Sequence, residues 1–181
     1  MKTRILFFFV LLSAVSFNGI AQTEYSSTRL IQREGYAYQC DNPRGGYETL
    51  YNANDQFTYA KRARKDGVPM DGDYLSGRIR TISMTSALRQ SIRNIIEGAF
   101  TQAEKDSFRD HTLLVTLIIN STTGNIQEVN FEFPVASFGY AYIPIEKYRQ
   151  IELSLKQNIV IPLTEAGKKL NFCMFVTSFN E

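Results

Sequence analysis

The sequence predicts an α+β fold: a small antiparallel three-stranded sheet with two main helices packed on one face, preceded by a tyrosine- and glycine-rich N-terminal extension. Three observations predict it. Two segments, one from Thr85 and one from Pro144, carry apolar residues at helical spacing. Two strand-like segments flank the turn "NSTTG". A last apolar segment, "LNFCMFVTSF", closes the chain as a strand.

The chain opens on Lys2 and Arg4, then a nearly unbroken apolar run of 13 residues from Ile5 to Phe17, then the small residues Gly19 and Ala21. A positive start, an apolar stretch and small residues before a cut at Gln22 make residues 1–21 a secretory signal peptide. The run is shorter than the roughly 20 residues that a spanning helix requires. No cysteine stands at the cut and no later segment is apolar enough to cross a bilayer, so neither a lipid anchor nor a membrane span is expected after cleavage. The expected location is exported, periplasmic or secreted. Without Lys2 and Arg4 the 20 basic residues fall to 18, equal to the 18 acidic ones. A nucleic-acid partner requires a basic surplus and is not expected. About 160 residues remain, enough for one domain with a core.

Residues 22–82 hold seven of the ten tyrosines and six of the eleven glycines. "GYAYQC" and "YETLYN" read as short strands, and "NPRGG" and "DGVPMDGD" as turns. This N-terminal extension is expected either to lie ordered on the second half or to be partly flexible.

Residues 83–181 are more regular. In "TSALRQSIRNIIEGAF", Leu88, Ile92, Ile95, Ile96 and Ala99 share one helical face, with Ser83 or Thr85 as cap and Gly98 at the end. Thr101 and Glu104 have capping-box spacing at the start of a second, short helix. "HTLLVTLII" is β-branched and leucine-rich, a mostly buried strand. From Gln127 to Phe133, Val129, Phe131 and Phe133 point one way and Glu128, Asn130 and Glu132 the other, so one buried and one wet face are expected. Gly124 in the turn between the two strands marks a hairpin. Pro144 opens a helix whose apolar stripe is Ile145, Tyr148, Ile151 and Leu155. Glu146, Arg149, Glu152 and Lys156 form its expected wet side, with Glu152 and Lys156 as an i,i+4 pair. "IVIPLTEAGKK" is a short extended piece and turn before the last strand.

The alternating strands around Gly124, the following helix, and Val160, Pro162, Gly167 and Lys168 ahead of a closing strand resemble the C-terminal domain of TonB, the energy-transducing protein of Gram-negative envelopes. The resemblance covers about residues 85–181 and implies a TonB-like fold in a bacterial envelope protein. The chain lacks that family's uncleaved anchor and proline-rich span, so the resemblance does not extend to energy coupling.

No catalytic, metal or cofactor site is expected. His111 is the single histidine, next to a helix end, where it reads as a cap. Nucleophile elbows, zinc-protease motifs and phosphate-binding glycine loops are absent from the sequence. Asp66, Asp71 and Asp73 do not match a calcium loop. "KRARK" (Lys61 to Lys65) offers contact with an acidic partner or a solvated face. "NST" at Asn120 matches a glycosylation acceptor but also suits a turn. Cys40 and Cys173 could form a disulfide or remain two buried thiols.

These features lead to a non-enzymatic envelope protein that binds a periplasmic or outer-membrane protein through the edge of its sheet. The candidate edge is the last strand, through Leu170, Phe172, Met174 and Val176. The alternative is a glycan or small-ligand protein with a pocket lined by Tyr36, Tyr38, Tyr47 and Tyr51.

Overall fold

The structure, a computed structural model, describes residues 25, 27–42, 46–134 and 139–179. The expected signal peptide, residues 1–21, lies outside the described residues.

The first strands are β1 (Arg29–Arg33), β2 (Tyr36–Asp41) and β3 (Tyr47–Asn52), an antiparallel meander. Helix α1 (Gly72–Leu75) is capped by Asp71, which accepts the amides of Asp73 and Tyr74. Helix α2 (Ser86–Gly98) starts at Thr85, whose hydroxyl accepts the amide of Leu88. Helix α3 (Gln102–Ser107) carries the complete Thr101–Glu104 capping box. Strands β4 (Leu113–Asn120) and β5 (Ile126–Pro134) form the expected hairpin. A 3-10 turn at Tyr140–Tyr142 leads into α4 (Ile145–Asn158). Helix α5 (Glu165–Lys168), capped by Thr164, and strand β6 (Phe172–Phe179) complete the chain.

All six strands form one antiparallel sheet in the order β1-β2-β3-β5-β4-β6. The expected three-stranded sheet with two helices is therefore incorrect. Strands of the 22–82 segment extend it through β3, which pairs Leu50 with Phe131 and Glu48 with Phe133 of β5. The physical reason is the outer side of β5. Its backbone groups need partners, and β3 supplies them from far away in sequence.

One face of the sheet carries the helices. Tyr148 of α4 packs between Phe131 and Phe133, with ring centroids at 5.0 and 5.8 Å. Phe100, after α2, meets Phe108 and Phe179. Val129, Phe131, Phe133, Ile145, Tyr148, Ile151 and Leu155 are all fully buried, as the two periodicities predict. Each stabilises the fold by about 1.5–3 kcal/mol.

The opposite face is not wet as expected. Glu128 and Asn130 are buried because residues 55–60 cross over them. Glu128 accepts the amides of Gln56 at 2.7 Å and Phe57 at 2.9 Å. The Thr58 hydroxyl bonds Asn130, and the Phe57 ring lies 5.0 Å from Phe172. Glu152, expected on the wet side of α4, is also fully buried. It accepts the Tyr38 hydroxyl and pairs with Arg149 and Lys156.

The hairpin corner answers for "NSTTG". The Asn120 side chain accepts the amides of Thr122 and Thr123 at 2.9 and 3.1 Å, an Asx turn. Gly124 has φ +79°, and a Cβ there would lie 2.5 Å from the Ile161 carbonyl oxygen. Both the backbone angle and the close approach require glycine.

Candidate functional site

Strand β6 is one edge of the sheet. Its eight residues, FCMFVTSF, include no charge, proline or glycine. The other edge, β1, is shorter and bears arginine at both ends. Natural edge strands are commonly blunted by charge, proline or shortness, because unpaired backbone groups recruit other strands. β1 has two of these devices and β6 has none.

The start of β6 is closed. The Lys65 amide bonds the Lys169 carbonyl at 2.8 Å, the Asn171 amide bonds the Ala63 carbonyl at 2.9 Å, and Arg64 bridges Leu170. Of the four residues expected at the edge, Leu170 lies outside the strand and is buried. Phe172 is buried beneath Phe57. Met174 and Val176 remain, 37% and 46% exposed. Among the described residues no strand pairs with the outer side of β6.

Basic side chains surround this open stretch. A cavity of about 380 Å³ beside Met174 is lined by Arg62, Arg80 and Arg89 together with Tyr74 and Met84. A neighbouring cavity of about 350 Å³ adds Arg93 beside Val176 and Thr177. Among the described residues no Asp or Glu lines either one. Among the described residues Arg62, Arg80 and Arg89 form no ion pair, whereas Arg93 pairs with Glu97 at 3.7 Å. The Arg89 guanidinium sits 5.1 Å from the centre of the Phe175 ring, which fixes it against β6. Sequence reasoning singled out "KRARK" but not Arg80 or Arg89. Only the return of residues 78–89 to the β6 edge brings them to Arg62.

On the face opposite the helices, a groove of about 600 Å³ runs from Thr49 and Asn130 to Met174 and Val176 beneath residues 57–60. Its floor mixes Thr49, Thr116, Asn130 and Glu132 with the apolar Leu114 and Ile118, and its β6 side is apolar.

The other candidates separate. Tyr36 and Tyr38 lie on the helix-covered face, Tyr38 directly opposite Asn52 of β3. Tyr47 and Tyr51 alternate with Glu48, Leu50 and Asn52 and so face the other way. The four tyrosines cannot line one pocket. Tyr51 and Tyr59 instead both donate to Asp41, at 2.8 and 2.9 Å; burial opposes ionisation there, but the hydrogen bonds from Gln39, Tyr51 and Tyr59 outweigh it and hold the carboxyl below the usual range. Asp66 binds Arg64, Asp71 caps α1 and Asp73 pairs with Arg78, so the three aspartates do not converge. Among the described residues no cluster of His, Cys, Asp and Glu could hold a metal. The His111 amide bonds the Phe108 carbonyl just after α3.

Cys40 and Cys173 are both free and buried. They sit on β2 and β6, with β3, β5 and β4 between them in the sheet. At about 4.8 Å per strand step this is far beyond disulfide reach. The disulfide considered from sequence is not formed. Burial pushes the Cys40 thiol up to about 12.

Among the described residues, two carboxyls have buried oxygens without a hydrogen-bond partner: Glu48, which is fully buried, and Asp55, which is half-buried. Both side-chain oxygens of Glu48 and one of Asp55 are orphaned. Burial raises each to about 7, with the nearby Glu128 charge adding to the effect at Asp55.

No curated protein matches this chain. The crystal structure of a DUF5043 family protein from Bacteroides uniformis is similar, with a TM-score of 0.79 and 32% identity over 88% of this chain and 95% of that one. That likeness overturns the resemblance to the TonB C-terminal domain: the shared pattern was a hairpin, a helix and a strand, which here belong to a sheet twice as wide as expected. The domain of unknown function DUF5043 matches residues 22–177, spanning both the extension and the regular half, and the chain belongs to this family.

Proposed function

We propose that this chain is an exported, non-enzymatic envelope protein that binds an extended segment of a periplasmic or outer-membrane protein by adding it as a seventh strand beside β6. The observation that carries the reading is the contrast between the two sheet edges. β1 is short and ends in arginines, whereas β6 is long, uncharged and exposes Met174 and Val176. Such an edge is a liability for a protein that works alone and an asset for one that recruits a strand. Export is supported by the apolar leader and by the family match beginning at residue 22, the expected first residue after cleavage. Backbone pairing would supply affinity, and side chains pointing alternately to the two faces would supply selectivity.

The test is site-specific photo-crosslinking in intact envelopes. A photoreactive residue is placed at Val176 and, as comparator, at Leu30 of β1, which is 49% exposed. The expected result is a discrete product from Val176 alone, with attachment mapped to consecutive residues of an extended segment of the partner. No product, or the same products from both positions, would sink the reading.

A further inference from the structure

We infer that the segment received by β6 is acidic, and that Arg62, Arg80 and Arg89 read its carboxylates. This inference rests on the strand-addition reading above. The three arginines come from three separate stretches of chain yet line one cavity beside Met174. Their convergence on one cavity leaves three positive charges close together, with no Asp or Glu among the described residues of the lining. Like charges gathered this way cost free energy unless an anion neutralises them. The protein elsewhere does supply such anions: Arg33, Arg64, Arg78, Arg93, Arg109 and Arg149 each pair with an Asp or Glu. Among the described residues the arginines left without one are Arg62, Arg80 and Arg89, gathered beside the open strand edge, and Arg29, alone at the start of β1.

The chemistry favours a peptide carboxylate. Guanidinium groups bind carboxylates through paired, charge-assisted hydrogen bonds. A strand laid along β6 at Met174–Thr177 would send alternate side chains toward the face on which Met174 and Val176 stand. Its acidic side chains would reach the cavity while its apolar ones cover Met174 and Val176. The neighbouring cavity, which shares Arg89, extends the same surface along Val176 and Thr177. The local charge contrasts with a chain whose residues beyond the leader balance to zero, so the arginines are a patch and not a general excess.

The experiment pans a display library of random octapeptides against the purified protein, and then against Arg80→Glu/Arg89→Glu, both positions being exposed. The expected winners alternate apolar residues with Asp or Glu. Replacing their acidic residues by Asn or Gln should weaken binding to the unmodified protein about tenfold or more, and raised salt should weaken it further. The charge-reversed variant should select basic peptides instead. The comparison of acidic and amide peptides needs no variant and so is independent of any folding defect. Winners with no acidic bias would overturn this inference while leaving strand addition intact. A library that yields no winners at all would overturn both. Binding to phosphatidylglycerol vesicles that is lost in the variant, with unbiased peptides, would assign the arginines to a lipid surface and overturn the inference as well.

Discussion

The Tyr38 hydroxyl of β2 donates to the Glu152 carboxylate of α4 inside the core, tying the N-terminal meander to the helix layer. The carboxylate is completed by Arg149 and Lys156. Removing the anion would leave two cations and a buried hydroxyl unmatched. Glu152→Leu should cost about 3 kcal/mol, read as a lower midpoint in chemical denaturation. Burial opposes ionisation of Glu152, but Lys156, Tyr38 and Arg149 outweigh it and lower its pKa. The group therefore contributes stability above its unfolded value, and that stability fades as pH falls through the folded one. The gap between wild type and Glu152→Leu should narrow in acid.

Glu48 works in the opposite sense. Its folded value is raised to about 7 from the ordinary 4.5. Below the unfolded value both states hold the proton and no penalty exists. As pH rises toward 7 the unfolded state ionises first, and stability is lost. Above 7 the loss is complete, on the order of 3 kcal/mol. Glu48→Gln should be more stable than wild type at pH 8 and indistinguishable at pH 4 in paired thermal melts. A gap independent of pH would contradict the burial of the carboxylate.

Gly124 and Gly35 share a positive φ, +79° and +80°, but differ in surroundings. Nothing lies within 4 Å of a Cβ at Gly35, whereas one at Gly124 meets the Ile161 carbonyl. Gly35→Ala should cost about 1 kcal/mol for backbone strain alone. Gly124→Ala should cost about 2–4 kcal/mol, strain plus the clash. Equal losses in denaturant titrations would show that the contact with Ile161 carries no weight.

Glu128 holds residues 56 and 57 across the sheet through two backbone amides. Glu128→Ala should destabilise the fold by about 1–3 kcal/mol. Hydrogen exchange should quicken at the Gln56 and Phe57 amides more than in α2. A uniform change across the chain would indicate only global loss of stability.

The free, buried thiols of Cys40 and Cys173 set a further expectation. Neither should react with a thiol reagent in the native protein, since burial raises both pKa values. Both should react in denaturant without prior reduction. Neither reacting until a reductant is added would show an oxidised pair.

The legible elements were those governed by neighbours in sequence. Leu88, Ile92 and Ile96 mark α2, Thr101 and Glu104 mark the capping box of α3, and Val129 to Phe133 mark β5, because each pattern repeats within one or two turns or pleats. Gly124 was legible as a hairpin corner for the same reason. The tyrosine alternation of β2 and β3 suggested strands, but not where they pair.

By itself, then, the sequence determined the type and approximate place of α2, α3, α4, β4, β5 and β6, since local periodicity and capping depend on residues a few positions apart; β1 and the short helices α1 and α5 were not legible. The tertiary structure alone decided the width of the sheet, through the β3–β5 pairing. It alone buried Glu128 and Glu152 on faces that read as wet, by laying residues 55–60 and β2 against them. It alone gathered Arg62, Arg80 and Arg89 beside the free edge of β6. Pairing, burial and convergence of charge depend on contacts between residues far apart in the chain, which no local pattern encodes.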